Sequence, residues 1–214
     1  MSSRQRVEFF YCSSCPWSYL AYLRLNEAVL RTGGTVRYRP VLAGQLHQDG
    51  NLPDPYVARH PAEANYQRKD LQDWASFAGV KIKLPDGRRA PPVWAQRAAV
   101  VALDTGHASK LIGALFAAHF ASGRDIADRT EVISIAADCG LHGPHFEAAL
   151  DDSKSTAVVV ANTEELLARG GFGSPTMFLG DDMYFGNDRM PLVESALMRA
   201  ADHQFIAPGE HGRI

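Results

Sequence analysis

The chain has 214 residues, 46% of them hydrophobic and 21% charged, so it can bury a sizeable core as one domain or as one domain carrying a large insertion. A formal net charge of −2 gives no general attraction to nucleic acid or to an acidic membrane surface. No apolar run precedes the first strand, nothing approaches the roughly 18 apolar residues of a membrane span, and the three cysteines are an odd number for a disulfide scaffold. The expectation is a soluble cytoplasmic protein.

Val7–Tyr11 reads as a buried strand that runs through Cys12-Ser13-Ser14-Cys15 into a helix from Trp17 to about Arg31, stopped by Gly33-Gly34. Its wide apolar face carries Tyr19, Leu20, Tyr22, Leu23, Leu25 and Leu30. Thr35–Leu42 is a second strand ending near Pro40, which makes a parallel strand–helix–strand unit. From Ala43 to about His60 the chain reads as a long loop, of the kind that serves as a lid or binding segment. Ala62–Ala78 follows as a helix with Tyr66, Leu71, Trp74 and Phe77 on one face, then an irregular connector from Lys81 to Val93. Five further helices are expected over Trp94–Thr105, Ala108–Ala121, Asp128–Cys139, Pro144–Asp151 and Ser153–Arg169, with Ser153 as a candidate cap for the last. Thr176–Leu179, a Gly180-Asp181-Asp182 turn and Met183–Phe185 read as a hairpin. A final helix from about Asp188 to His203 turns Leu192, Val193, Ala196 and Leu197 inward, and a tail from Ala207 is expected to be disordered.

This order places two incomplete α/β ends on either side of a block of helices, and the ends must meet in one sheet. The predicted architecture is α/β, a thioredoxin-like fold with a central mixed sheet, over 1–45 and 155–214, with an all-helical insertion over 46–154. The turn after the first strand then lies at the carboxyl end of the sheet, where open α/β folds place ligands.

Cys15 sits at that turn. Its thiol faces the free N–H groups and positive end of the helix, and Pro16 suits the first helical position because its missing N–H has no partner there anyway. The plainer reading of Cys15 is a small buried filler at a helix cap; the reactive reading is favoured. The second signal is Ser174-Pro175-Thr176, preceded by glycines and followed by a strand. Pro175 is either an edge marker or a cis-proline that offers the Ser174 N–H and C=O to a peptide-like ligand; the topology favours cis. His142 and His145 are separated by Gly143 and Pro144 and read as surface loop histidines rather than metal ligands. Cys139 reads as core, and Asp181-Asp182 as a turn.

Val7-Glu-Phe-Phe-Tyr11 with Ser14-Cys15-Pro16-Trp17-Ser18-Tyr19-Leu20, Asp70-Leu-Gln-Asp-Trp-Ala75, Phe172-Gly-Ser-Pro-Thr-Met-Phe-Leu-Gly180, Gly186-Asn187-Asp188-Arg189 and Glu194-Ser195 together resemble the DsbA-like superfamily. More narrowly, they resemble its branch of 2-hydroxychromene-2-carboxylate isomerases and kappa-class glutathione transferases. The resemblance covers nearly the whole chain and is strongest at its two ends. It implies glutathione as cofactor, a small aromatic substrate and a homodimer. Carried over residue by residue, it implies glutathione contacts at Cys15 and Pro16, at Asn51 in the Gly-Asn-x-x-Pro loop, at Ser174 and Pro175, and at Phe185, Gly186, Asn187 and Asp188, with Cys15 as the catalytic position.

One departure matters. The isomerases this chain resembles usually have serine where it has Cys15, and the thiol–disulfide oxidoreductases of the superfamily have a second cysteine where this chain has Ser18. Disulfide formation through that pair is excluded. Cys12, three residues upstream, either resolves a mixed disulfide or packs under the turn; packing is favoured. An ionised Cys15 would repel a glutathione thiolate. Two chemistries therefore stay open: Cys15 as a neutral hydrogen-bond donor in an isomerase or transferase, or Cys15 as the attacking thiol of a monothiol oxidoreductase. The Gly44–Asp54 loop with Tyr66, Arg68 and Lys69 is a candidate substrate pocket, although an Arg-Lys pair on a helix more often forms a solvated face.

Overall fold

The computed structural model describes residues 5–42, 44, 46, 60–84 and 91–201. Strand β1 (Arg6–Tyr11) leads into helix α1 (Pro16–Thr32), and β2 (Thr35–Pro40) lies parallel to β1. On the other side of β1, β3 (Thr176–Leu179) runs antiparallel to it, and β4 (Asp182–Phe185) runs antiparallel to β3. The strand order β2-β1-β3-β4 gives the expected mixed sheet, with the two ends of the chain meeting at β1. Between β2 and β3 come α2 (Pro61–Phe77), α3 (Val93–Ala102), α4 (Ala108–Phe120), α5 (Arg129–Asp138), α6 (Pro144–Asp151) and α7 (Ser153–Ala168); α8 (Met190–Ala200) follows the sheet.

Local chemistry sets these boundaries. Pro16 opens α1, and Gly33 closes it in the left-handed region at φ 70°, where a Cβ would be strained. Asp128 caps α5 by accepting from the Thr130 and Glu131 amides at 2.7 and 3.0 Å. At α7 the cap is Asp152, which accepts from the Lys154 amide at 2.9 Å, rather than Ser153. The segment read as one helix to Thr105 stops at Ala102 and tightens into a 3-10 turn, Leu103–Thr105, where the Thr105 hydroxyl donates back to the Ala102 carbonyl at 2.8 Å. Similarly, Asn187–Arg189 is a 3-10 turn, and the last α-helix begins at Met190.

The alternation of β1 splits the core into two faces. Phe10 packs with Val41, Leu46, Leu166 and Phe178 on the α7 side. Val7, Phe9 and Tyr11 face α1, α8 and the helical block. There Tyr11 stacks on Phe9 at 5.3 Å and meets Phe116 of α4 at 5.7 Å, and Tyr19 of α1 stacks on Phe116 and Phe120 at 5.3 and 5.8 Å. Burying each such side chain contributes about 1.5–3 kcal/mol, so this aromatic column anchors the turn between β1 and α1 to the helical block.

Several positions read as inward are not. Leu30, Tyr66, Phe77 and Leu192 are exposed. In α8 the buried stripe is Met190, Val193, Ala196 and Leu197, and Leu192 lies one residue off that 3/4 spacing. In α2 only Leu71 and Ala75 are fully buried, a narrower face than the aromatic spacing implied. The Ala43–His60 loop falls almost wholly outside the described residues, as does the tail beyond Ala201.

Candidate functional site

The site is built where β1 ends. A turn closed by the Cys15 amide donating to the Cys12 carbonyl at 3.0 Å delivers Cys15 as the N-cap of α1. Cys15 is extended at φ −93°, ψ 115°, and its side chain makes no capping bond. Instead its Sγ donates to the Ser174 carbonyl oxygen at 3.3 Å, across 159 residues of sequence. The Ser174-Pro175 peptide is cis, and Pro175 offers its own carbonyl to the Gly186 amide at 3.0 Å. The Thr176 hydroxyl donates to the Gly173 carbonyl at 2.7 Å and closes the turn. The two sequence signals from opposite ends of the chain are therefore one place in space.

The Cys12–Cys15 turn is held from below by a residue the sequence reading did not single out. Gln96 of α3 is buried, and its side chain is fully used: Oε1 accepts from the Ser13 hydroxyl at 2.6 Å, while Nε2 donates to the carbonyls of Val41 and Tyr11 at 2.6 and 3.2 Å. One amide thus ties the turn to the carboxyl ends of β1 and β2. The available signal was a polar residue among Ala95, Ala98, Ala99 and Ala102 on the buried face of α3.

Cys12 and Cys139 are both buried thiols. Cys12 Sγ lies 3.3 Å from the Ser14 hydroxyl, inside the turn. Cys139 joins the hydrophobic core, and burial pushes its thiol upward, against the nearby Lys110 charge. Ser18 is wholly buried one helical turn beyond Cys15, and Tyr11 is wholly buried at the end of β1; among the described residues neither hydroxyl has a hydrogen-bond partner. Burial, reinforced by Tyr38, Cys12 and Tyr22, drives the Tyr11 phenol far above its ordinary range, so it stays neutral.

The other carried-over positions flank the cis turn. Phe185 at the end of β4 packs on Phe172 with ring centroids 4.5 Å apart, and both are partly exposed. Gly173 between them has no room for a side chain, since a Cβ would meet the Phe185 ring at 2.8 Å. Gly186 turns the chain at φ 99° into Asn187, which is buried, and Asp188, which is exposed and paired with Arg189 at 3.0 Å. Pro16 is buried at the first helical position. Asn51 lies outside the described residues. Of the candidate substrate pocket, Tyr66 and Arg68 are exposed, Arg68 bonding Asn65, and Lys69 pairs with Asp73 on its own helix, as a solvated face does. His142 and His145 are exposed.

Residues 6–198 match the DSBA-like thioredoxin domain. The chain belongs to that family. Within it, the relatives agree with the branch its motifs resemble. A 2-hydroxychromene-2-carboxylate isomerase of Pseudomonas putida is 31% identical over 90% of this chain and 94% of its own. A glutathione S-transferase kappa 2 of Caenorhabditis elegans is 25% identical over 92% of this chain and 93% of its own. Among solved structures, a 2-hydroxychromene-2-carboxylate isomerase superimposes with a TM-score of 0.77 at 26% identity, covering 91% of this chain and 95% of that one.

Among the described residues no helix is long and apolar enough to cross a membrane.

Proposed function

We propose that this protein is a glutathione-dependent isomerase or transferase acting on a small aromatic or unsaturated electrophile, in the manner of the 2-hydroxychromene-2-carboxylate isomerases it is similar to. The observation that carries the reading is the 3.3 Å contact between the Cys15 thiol and the carbonyl before cis-Pro175, with Ser18 in the neighbouring helical turn. A carbonyl oxygen offers no hydrogen, so in this contact the sulfur is the donor. A donor is what a serine supplies at the same position in the isomerases.

The residues present fit the cofactor. The cis turn presents peptide groups for an antiparallel, strand-like pairing, and the buried Asn187 Nδ2 has no partner among the described residues. Cys15, Pro16, Ser174, Pro175, Phe185, Gly186, Asn187 and Asp188 would hold glutathione, with Asn51 from the loop. When bound, glutathione supplies a thiolate that adds reversibly to an unsaturated carbon and is not consumed. Cys15 would redirect its hydrogen from the Ser174 carbonyl to the cofactor sulfur, and so hold the anion without covalent chemistry of its own. The Ser174 carbonyl, released, becomes free to accept from a cofactor amide. The exposed Phe172–Phe185 pair offers an apolar face to an aromatic substrate. Residues 1–45 and 155–214 would form the thioredoxin-like unit and 46–154 the helical insertion, in a cytoplasmic homodimer.

The test is turnover of a 2-hydroxychromene-2-carboxylate, followed by ultraviolet absorbance with and without glutathione, for wild type and Cys15→Ser. Turnover that requires glutathione and survives the serine change supports the reading. The presence of a cysteine at the isomerases' serine position favours one second reading, a monothiol glutathione-linked oxidoreductase. No turnover in either protein, with a mass gain on Cys15 after treatment with oxidised glutathione, would establish that one instead.

A further inference from the structure

Two thiols sit at the ends of one turn. The Cys15 amide donates to the Cys12 carbonyl at 3.0 Å, so Cys12-Ser13-Ser14-Cys15 is a hydrogen-bonded four-residue turn. Such a turn holds the Cα atoms of its first and fourth residues within about 7 Å, and a disulfide spans Cα separations of about 4.4–6.8 Å. Cys15 is still in an extended conformation, outside the first turn of α1. The pair stands one frame upstream of the position that Ser18 holds. A bond between these sulfurs runs back to the end of β1, not forward into the helix.

In the reduced protein the two sulfurs rest on different partners. Cys15 Sγ donates to the Ser174 carbonyl at 3.3 Å, and Cys12 Sγ lies 3.3 Å from the Ser14 hydroxyl. A hydroxyl both donates and accepts, so Ser14 can hold Cys12 as a thiol or as the attacking thiolate. Ser13, between them, is tied to Gln96 at 2.6 Å, which keeps the turn in place while the thiols exchange partners. The third thiol, Cys139, belongs to the core at the end of α5 and shares no turn with either.

Burial selects the oxidant. Cys12 and Cys15 are each 2% exposed, so neither meets dissolved oxidants freely. A disulfide that the site itself seats has the advantage. Under the glutathione reading that disulfide is oxidised glutathione, which carries the cofactor's own peptide and brings a sulfur to Cys15.

We propose that Cys12 and Cys15 form a reversible redox pair, oxidised by glutathione disulfide, which switches the site off. The proposal rests on the glutathione reading above and adds its regulation. The Cys15 sulfur gives its proton to solvent and attacks one sulfur of oxidised glutathione, whose S–S bond breaks and releases a glutathione thiolate. Cys12 then attacks the Cys15 sulfur of the mixed disulfide, and its proton leaves with the second glutathione. Two cysteine thiols are oxidised to one disulfide, and one oxidised glutathione is reduced to two of glutathione. Cys15 then has no S–H to offer the Ser174 carbonyl or a cofactor sulfur. Excess reduced glutathione reverses both steps, so the site works where its cofactor is reduced and stops where it is oxidised.

The test treats the reduced full chain with oxidised glutathione, quenches with acid, and reads intact mass and alkylatable thiols for wild type, Cys12→Ala and Cys12→Ser. The initial rate of 2-hydroxychromene-2-carboxylate turnover is read on the same samples before quenching. Wild type should become two hydrogens lighter, carry no glutathionyl group, leave only Cys139 to alkylate, and turn over about a hundredfold more slowly until reduced again. Both Cys12 variants should instead keep one glutathionyl group on Cys15, and before oxidation should turn over at the wild-type rate. Serine preserves a polar partner for Ser14 and serves if the alanine variant fails to fold. A wild type that keeps its glutathionyl group, or whose mass does not change, overturns the pairing. Pairing that leaves the initial rate unchanged overturns the switch. A wild type that pairs its thiols yet shows no glutathione-dependent turnover when reduced supports the pairing and overturns the isomerase reading alone.

Discussion

Gln96 gives the sharpest test of how the site is held. Gln96→Met keeps the length and volume of the side chain and removes its three hydrogen bonds. The Tyr11 carbonyl keeps a partner, because the Val41 amide also donates to it at 2.9 Å. The Ser13 hydroxyl and the Val41 carbonyl do not, and each buried group left unpaired costs about 1–3 kcal/mol. The expected loss is therefore about 2–6 kcal/mol, and at about 2–4 °C per kcal/mol for a chain of this size the melting temperature should fall by about 10 °C. Urea unfolding followed by tryptophan fluorescence measures the loss directly. Ser13→Ala alone should cost about 1–3 kcal/mol, since it orphans only Gln96 Oε1, and the double variant should cost at least about 0.5 kcal/mol less than the sum. A Gln96→Met protein that melts within about 2 °C of wild type, or strict additivity with Ser13→Ala, would refute the claim that this amide clamps the turn.

Two more consequences can be measured on the same scale. Burial alone would raise the Glu8 carboxyl, but the hydrogen bond from Arg169 and the charges of Arg169, Arg39 and Arg37 outweigh it and hold the group below its ordinary range. A depressed carboxyl contributes stability that is present above the unfolded pKa near 4.3 and is lost as pH falls through the folded value. Glu8→Gln should thus be about 1.5–3 kcal/mol less stable than wild type at pH 7, with the gap closing below about pH 4; a gap constant from pH 7 to pH 3 would contradict the ion-pair account. Ser18→Cys should cost less than about 1 kcal/mol, because the buried hydroxyl has no partner to lose among the described residues and a thiol tolerates burial. It should also raise insulin reduction well above the wild-type level, and a variant with two thiols in this frame that shows no such rise would mean that Ser18 does not face Cys15.

The fold was legible wherever one residue type has few uses. Gly33 past the last apolar position of α1, Asp128 before α5 and the glycine-flanked Ser174-Pro175 step each mark a boundary by a mechanism that acts within a few residues. The alternation of Val7, Phe9 and Tyr11 against Phe10 likewise encodes a strand buried on both faces. Side-chain direction at helix edges was less legible. Leu30, Phe77 and Leu192 are apolar and helical yet exposed, because one position off the buried stripe is a turn of about 100°, and only the neighbouring helices decide where that stripe lies. Gly113 illustrates the same limit: inside α4 it reads as a weak helix residue, and its reason is the Tyr22 hydroxyl from α1, which a Cβ would meet at 2.5 Å. Gln96 escaped notice for a related cause, since its hydrogen-bond partners lie 55 to 85 residues away.

These distant partners bear on why a cysteine can stand where the isomerases have serine. A thiol in a rigid turn with no acceptor would be left to find its own chemistry. Here the acceptor is built in: the Ser174 carbonyl is fixed by a cis turn whose next carbonyl is bound by Gly186, and the sulfur is fixed by a turn clamped through Gln96. Both partners are therefore held before any ligand arrives. Replacing that thiol by a hydroxyl preserves the donor and shortens its reach, which is the change Cys15→Ser makes. A site that needs a hydrogen-bond donor beside an anionic cofactor sulfur has one held in place here, which supports the isomerase reading proposed above.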